Sequence, residues 1–134
     1  MNATPTPRLL IVDDESVQMR ALCDTLTLEG FTTTGFVSAT AALAELRSQE
    51  FDLLLTDLMM PEMDGIALLA AAREISPDVV AIVMTGHAAI DTAVKAMQAG
   101  ALDYIVKPFK LAVILPVINR ALSMRQLRLA NRQL

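Results

Sequence analysis

No tryptophan occurs in this chain of 134 residues, and cysteine, histidine and tyrosine occur once each. With Cys23 alone, internal disulfides and cysteine-based zinc sites are excluded, and a lone thiol on an apolar helix stripe reads as ordinary core. Long apolar runs are missing too. The greasiest stretch, "LAVILPVI", is far shorter than the roughly 20 residues of a membrane span and is interrupted by proline. The amino terminus, "MNATPTPR", has neither the basic nor the apolar region of a secretory leader. These absences lead to the expectation of a soluble cytoplasmic protein without membrane contact.

What is present is apolar: 54% hydrophobic residues against 19% charged, too rich in core-forming side chains for disorder. The length suits one domain able to bury a core without staples. The net charge of −4 hides an asymmetry. All 15 acids precede residue 120, whereas Arg120, Arg125, Arg128 and Arg132 follow with no acid and no aromatic among them. Arginines spread along a helix without aromatics read as a solvated face, so no direct nucleic-acid contact is expected.

Two periodicities alternate. "LLIV" (9–12), "FDLLLTD" (51–57), "VVAIVM" (79–84) and "LDYIV" (102–106) are continuous apolar runs, the mark of strands covered on both faces of a parallel sheet. "FTTTGF" (31–36) is more polar and reads as an edge strand. Between them, Met19, Leu22, Cys23 and Leu26 keep helical spacing up to a stop at Gly30, and Ala39, Ala42, Leu43 and Leu46 repeat it after a cap at Ser38. Further helices fit 65–75, 88–99 and about 111–134, with Gly100 ending the second of these. Pro116 lies in the last, so that helix is expected to start near Leu115 or to kink. Five βα units imply an α/β fold, a doubly wound parallel sheet with right-handed crossovers.

The stretch "RLLIVDDE" runs from a buried strand straight into three acids. Unit charges about 4 Å apart repel by roughly 4 kcal/mol at an effective dielectric near 20, so such a cluster needs a positive partner or a helix to cap. In a parallel sheet, ligands collect outside the carboxyl ends of the strands. Asp13 and Asp14 end the first strand, Asp57 the third, Thr85 the fourth and Lys107 the fifth. Three carboxylates, a hydroxyl and an ammonium therefore share one rim. Hard oxygen ligands suit Mg²⁺, which joins phosphate to one or two side chains. Asp57 is then the candidate nucleophile for an acyl phosphate, with Lys107 neutralising the transferred group and Thr85 hydrogen-bonding it. The blander reading has Asp13 and Asp14 merely capping the first helix; Glu15 is expected to do only that. Asp64-Gly65 reads as turn and helix-start chemistry.

"IVDDE", "LLLTDLMMPEMDG" and "IVMTGHAAIDTAVKAMQAGALDYIVKPF" resemble the receiver domains of bacterial two-component response regulators, over roughly residues 8–123. The 84–108 stretch is most similar to receivers that precede AAA+ transcriptional activators. The resemblance implies the flavodoxin-like (βα)5 fold with strand order 2-1-3-4-5. It implies Asp13 and Asp14 as the metal-binding pair, Asp57 as phosphoacceptor and metal ligand, and Met59 as donor of a backbone carbonyl to Mg²⁺. Thr85 and Tyr104 match the switch hydroxyl and switch aromatic, and Lys107 the phosphate-contacting lysine, before a cis bond to Pro108. His87 reads as an exposed side chain or a modulator of phosphoryl lifetime rather than a phosphorelay histidine.

The implied function is a phosphorylation-activated signalling switch rather than an enzyme, one that catalyses only its own phosphorylation and slow dephosphorylation. A histidine kinase or phosphotransfer protein supplies the phosphoryl group, and the face of helix four, strand five and helix five passes on the signal in transcription regulation. Two alternatives stay open: an aspartyl-phosphate phosphatase of haloacid dehalogenase type, and an FMN-binding flavodoxin-like module. The expected organisation is a loose tail at 1–7, the receiver at 8–123 and a helical extension at 124–134 toward an output domain. Val113 and Val117 make the last helix apolar nearly all round, so it is expected to contact an output domain or a second copy.

Overall fold

A computed structural model describes residues 6–86 and 90–132. Five strands, β1 (Arg8–Val12), β2 (Thr32–Phe36), β3 (Leu53–Asp57), β4 (Val80–Thr85) and β5 (Asp103–Val106), form one sheet in the order β2-β1-β3-β4-β5, every pairing parallel. The helices are α1 (Ser16–Leu28), α2 (Ala39–Ser48), α3 (Gly65–Ile75), α4 (Ile90–Gln98) and α5 (Leu111–Arg132). This is the doubly wound parallel sheet expected from the alternating apolar runs, in the flavodoxin-like (βα)5 order that the resemblance implies.

The period of two along each strand explains the two cores. Leu9, Ile11, Leu53, Leu55, Val80 and Ile82 face α1 and α5, where they bury Leu26, Ile114 and Ile118. Leu10, Val12, Leu54, Ala81 and Val83 face α2, α3 and α4. Both faces are covered, so the central strands need apolar residues at every position. β2 pairs with β1 alone and keeps its polar edge character, with Thr32–Phe36 exposed or half-buried.

Helix ends follow local chemistry. Gly30 and Gly100 have φ of 99° and 114°, a conformation other L-residues avoid. After α1 the Gly30 amide donates to the Thr27 carbonyl and the Phe31 amide to the Leu26 carbonyl; Gly100 and Ala101 repeat both bonds after α4. Ser38 caps α2 through the Ala41 amide, and Asp64 caps α3 through the Ala67 amide.

Two expectations change. Glu15 holds the N-cap position of α1 but its side chain makes no capping bond. Asp13 Oδ1 instead accepts from the Glu15 amide at 3.0 Å, the short-range turn an aspartate makes two residues on. The start near Leu115 also does not occur, since α5 begins at Leu111 and carries Pro116 inside it. The carbonyl that loses its donor is that of Ala112, an exposed residue whose oxygen water can satisfy, while Ile114 and Ile118 fix the helix to the sheet. α4 is described from Ile90, and His87 lies outside the described residues. None of the helices among the described residues is long and apolar enough to cross a membrane.

α5 runs unbroken past residue 123 to Arg132. Its last third is tied to the amino-terminal edge of the sheet. Arg125 bonds Asp52 Oδ1 at 2.8 Å and the Asp78 carbonyl at 3.0 Å, and Arg132 bonds Asp78. Asp52 Oδ2 also accepts the Arg8 amide at 2.7 Å, so one carboxylate joins the starts of β1 and β3 to α5. The Arg125 side chain is only 11% exposed, which puts this pair above an ordinary surface ion pair. Arg125→Ala is expected to lower unfolding free energy by about 2 kcal/mol in urea with the slope unchanged. A loss near zero would show that the arginine does not hold the helix.

Candidate functional site

Parallel strands β1, β3 and β5 end on the same edge, and each delivers a charged residue at or just past its last position. Asp13 is 2% exposed and Asp57 7%, and both would be costly without a counter-charge. Lys107 supplies it. Its Nζ lies 2.8 Å from Asp13 Oδ2 and 3.4 Å from Asp57 Oδ2, and 3.5 Å from Gln18 Oε1 on α1. The Lys107 amide donates to the Thr85 carbonyl at 2.7 Å, which continues the β4–β5 ladder and aims the side chain back over the rim. The Lys107–Pro108 peptide is cis, as the resemblance implies.

Asp14 is exposed, yet one oxygen each from Asp13, Asp14 and Asp57 lie within 4.8 Å of one another. Three hard oxygen donors at this spacing, with one of them open to solvent, fit a hydrated divalent cation such as Mg²⁺. Burial pushes the Asp57 carboxyl above its ordinary value; the Lys107 charge and the Met59 amide pull it down, and Asp13 raises it further. Burial alone would lower Lys107, but its hydrogen bond to Asp13 and the charges of Asp57 and Asp13 hold its ammonium above the ordinary value. An open groove of about 650 Å³ between α1 and the start of α5 reaches Asp13, Gln18 and Lys107, so the pocket is accessible from that side.

The profile of the "Response regulator receiver domain" matches residues 9–119. The chain belongs to the response regulator receiver family. It is 40% identical over 128 residues to the C4-dicarboxylate transport transcriptional regulatory protein DctD of Rhizobium meliloti, covering 96% of this chain and 28% of that protein. The chain thus spans little more than a quarter of that relative. Among solved structures, it resembles NtrX from Brucella abortus with a TM-score of 0.91 and 32% identity, over 96% of this chain and 30% of that one. A response regulator receiver domain protein from Clostridium thermocellum superposes with a TM-score of 0.86 and 29% identity, over 90% of this chain and 98% of that one. Its curated relatives include transcriptional regulators such as DctD and NtrC.

Within this receiver, the expected residues divide. Asp13, Asp14, Asp57 and Lys107 converge. The Met59 amide donates to Asp57 Oδ1 at 3.3 Å, so the backbone of residue 59 lies against the carboxylate while its side chain is 65% exposed. Thr85 is buried at the end of β4, but its hydroxyl turns to the Gly86 carbonyl at 3.3 Å rather than to Asp57 or Lys107. Tyr104 stands on edge strand β5, 43% exposed and apart from the pocket. Sequence reasoning missed Gln18, which α1 brings up beside Lys107; its position one helical turn after Asp14 was the available signal. It also missed Glu62, whose carboxyl the Ser38 hydroxyl holds below its ordinary value.

Gly65 shows why the loop after Asp57 is tight. A Cβ there would lie 2.6 Å from the Asp57 carbonyl oxygen and 2.8 Å from the Leu58 Cα, both backbone atoms that cannot swing away. Gly65→Ala is expected to destabilise the protein by about 1–3 kcal/mol and displace the loop. An unchanged melting temperature would contradict this.

Raised in the folded state, Asp57 adds stability that is fully present below the unfolded value of 3.8 and is lost as pH rises through its folded pKa. In chelator, Asp57→Asn is therefore expected to raise the melting temperature at neutral pH and to remove that part of the acid-side dependence. A lower melting temperature for the variant would reverse the sign of the argument.

Proposed function

We propose that this receiver is a phosphorylation-activated switch that takes a phosphoryl group onto Asp57 from the phosphohistidine of a histidine kinase or phosphotransfer protein. The observation that carries this reading is the meeting of Asp13, Asp14 and Asp57 oxygens beside the Lys107 ammonium. An Asp57 oxygen attacks phosphorus, the P–N bond breaks, and the departing imidazole keeps the electron pair. Asp13, Asp14, Asp57 and the Met59 carbonyl would hold Mg²⁺, which when bound offsets the charge of the phosphoryl oxygens. Lys107 exchanges part of its pairing with Asp13 and Asp57 for the new phosphoryl oxygens. Thr85 rotates its hydroxyl from Gly86 to the phosphoryl group, and Tyr104 turns inward into the space this leaves.

The alternatives lack chemical support. A phosphatase of haloacid dehalogenase type would need an acid two residues beyond Asp57, where Met59 stands. An FMN phosphate would add its charge to a pocket where one ammonium, Lys107, already faces the carboxylates of Asp13, Asp14 and Asp57.

Output passes through the face of α4, β5 and α5. Val113, Met124 and Leu127 are 53%, 40% and 61% exposed, and with Val117 and Arg120 they step by four and three along α5. That spacing is the seam of a two-helix contact, fitting a second copy or an output domain. Val117 is half-buried against the sheet and contributes only its outer edge. Three of the four terminal arginines pair with Asp103, Asp52 and Asp78 of the same domain, which favours a protein partner over nucleic acid.

Melting curves test the site. Mg²⁺ at about 100 times its Kd is expected to add roughly 2.7 kcal/mol of stability, and beryllofluoride a further increment that Asp57→Asn abolishes. Absence of any metal-dependent rise would defeat the proposal. Sedimentation velocity tests the output face. Beryllofluoride is expected to increase self-association and Met124→Ser with Leu127→Ser to reduce it, whereas a strict monomer in every state would remove the second copy as partner.

A further inference from the structure

Glu62 sits in the loop between β3 and α3, three residues past Met59, but its carboxylate bonds away from the acidic pocket. Oε1 accepts from the Ser38 hydroxyl at 2.7 Å and from the Thr40 amide at 3.4 Å. Ser38 is at the same time the cap of α2, its oxygen accepting from the Ala41 amide at 3.2 Å. One side chain of the loop therefore completes the amino-terminal cap of a different helix. The loop's remaining fastenings lie on both sides of Glu62, and the Met59 amide itself donates to Asp57 Oδ1 at 3.3 Å. The Leu58 amide donates to the Met84 carbonyl at 3.0 Å and the Gly65 amide to the Leu58 carbonyl at 2.8 Å, while Met60 and Met63 pack on the core beneath. Glu62 is the polar strut at the loop's crest.

We infer that Glu62 is a positioning residue: by mounting the loop on the capped end of α2, it holds the Met59 backbone where its carbonyl completes the cation site of Asp13, Asp14 and Asp57. This rests on the divalent-cation reading above and adds a residue to it. The physical reason is conformational selection. A loop free to leave its mount spends less time in the binding-competent shape, and affinity falls by that fraction. Glu62 does not touch the cation in this account; its acceptor geometry matters and its charge does not.

The test is a Mg²⁺ titration read by melting temperature in wild type, Glu62→Ala, Glu62→Gln and Ser38→Gly, beginning from metal-free protein. Glutamine keeps an oxygen acceptor for Ser38, and glycine removes the donor at little cost to the cap. The expected result is a Kd about three- to tenfold weaker for Glu62→Ala and Ser38→Gly, near wild type for Glu62→Gln, with metal-free melting temperatures close together. Should Glu62→Ala melt early without metal, Ser38→Gly carries the comparison. Equal Kd values for wild type, Glu62→Ala and Ser38→Gly would overturn the strut while leaving the cation site standing. Equal weakening by Glu62→Gln and Glu62→Ala would overturn it too, by assigning the effect to charge. A wild type that gains nothing from Mg²⁺ would instead remove the site on which the inference rests.

Discussion

One ammonium group makes the carboxyl edge of this sheet possible. Lys107 lies between two carboxylates that are almost wholly withdrawn from water. A pair of like charges in such a place would either take up a proton or open the fold. Placing the lysine requires β5 to be the edge strand after β4, and placing the acids requires β1 and β3 to be neighbours at the centre. The strand order is therefore the electrostatic arrangement seen from above. Three acids against one ammonium still leave the pocket negative, a surplus that the proposed dication would offset.

In the proposed switch, the same sheet would separate receiving from sending. The pocket occupies the carboxyl edge, whereas Arg125 and Arg132 fasten the end of α5 at the opposite edge through Asp52 and Asp78. α5 thus has a fixed lower end, and its exposed apolar seam is presented at a set angle to whatever packs against it. Thr85 stands on the carboxyl edge at the end of β4 and Tyr104 on β5, the residues through which, in the proposed switch, a change at Asp57 would reach α4, β5 and α5.

Much of this was legible in the sequence because its cause is local. Uninterrupted apolar runs report strands buried on both faces, glycines at 30 and 100 report helix stops, and acids or a lysine at successive strand ends report the rim. What escaped reading depends on three-dimensional proximity between residues whose own neighbourhoods give no sign of it. Gln18 reads as an ordinary helix residue until the Lys107 side chain, from just past β5, reaches it across the rim, and Arg125 as a solvated arginine until α5 crosses the starts of β3 and β4. Glu62 looks like loop polarity until α2 brings Ser38 to it. Glu15 misled for the opposite reason, since a strong local rule was overridden when Asp13 took the Glu15 amide. At Pro116 the expected start near Leu115 gave way, because Ile114 and Ile118 pack on the sheet and α5 runs on through the proline.

The central claim is that Asp57 carries the phosphoryl group as an acyl phosphate. Its most direct measurement is borohydride trapping after treatment with acetyl phosphate and Mg²⁺, followed by peptide mass spectrometry. Hydride reduction turns an aspartyl phosphate into homoserine, so the account predicts homoserine at position 57, dependent on both phosphodonor and metal. Aspartate unchanged at 57, or homoserine found at 13 or 14 instead, would contradict it.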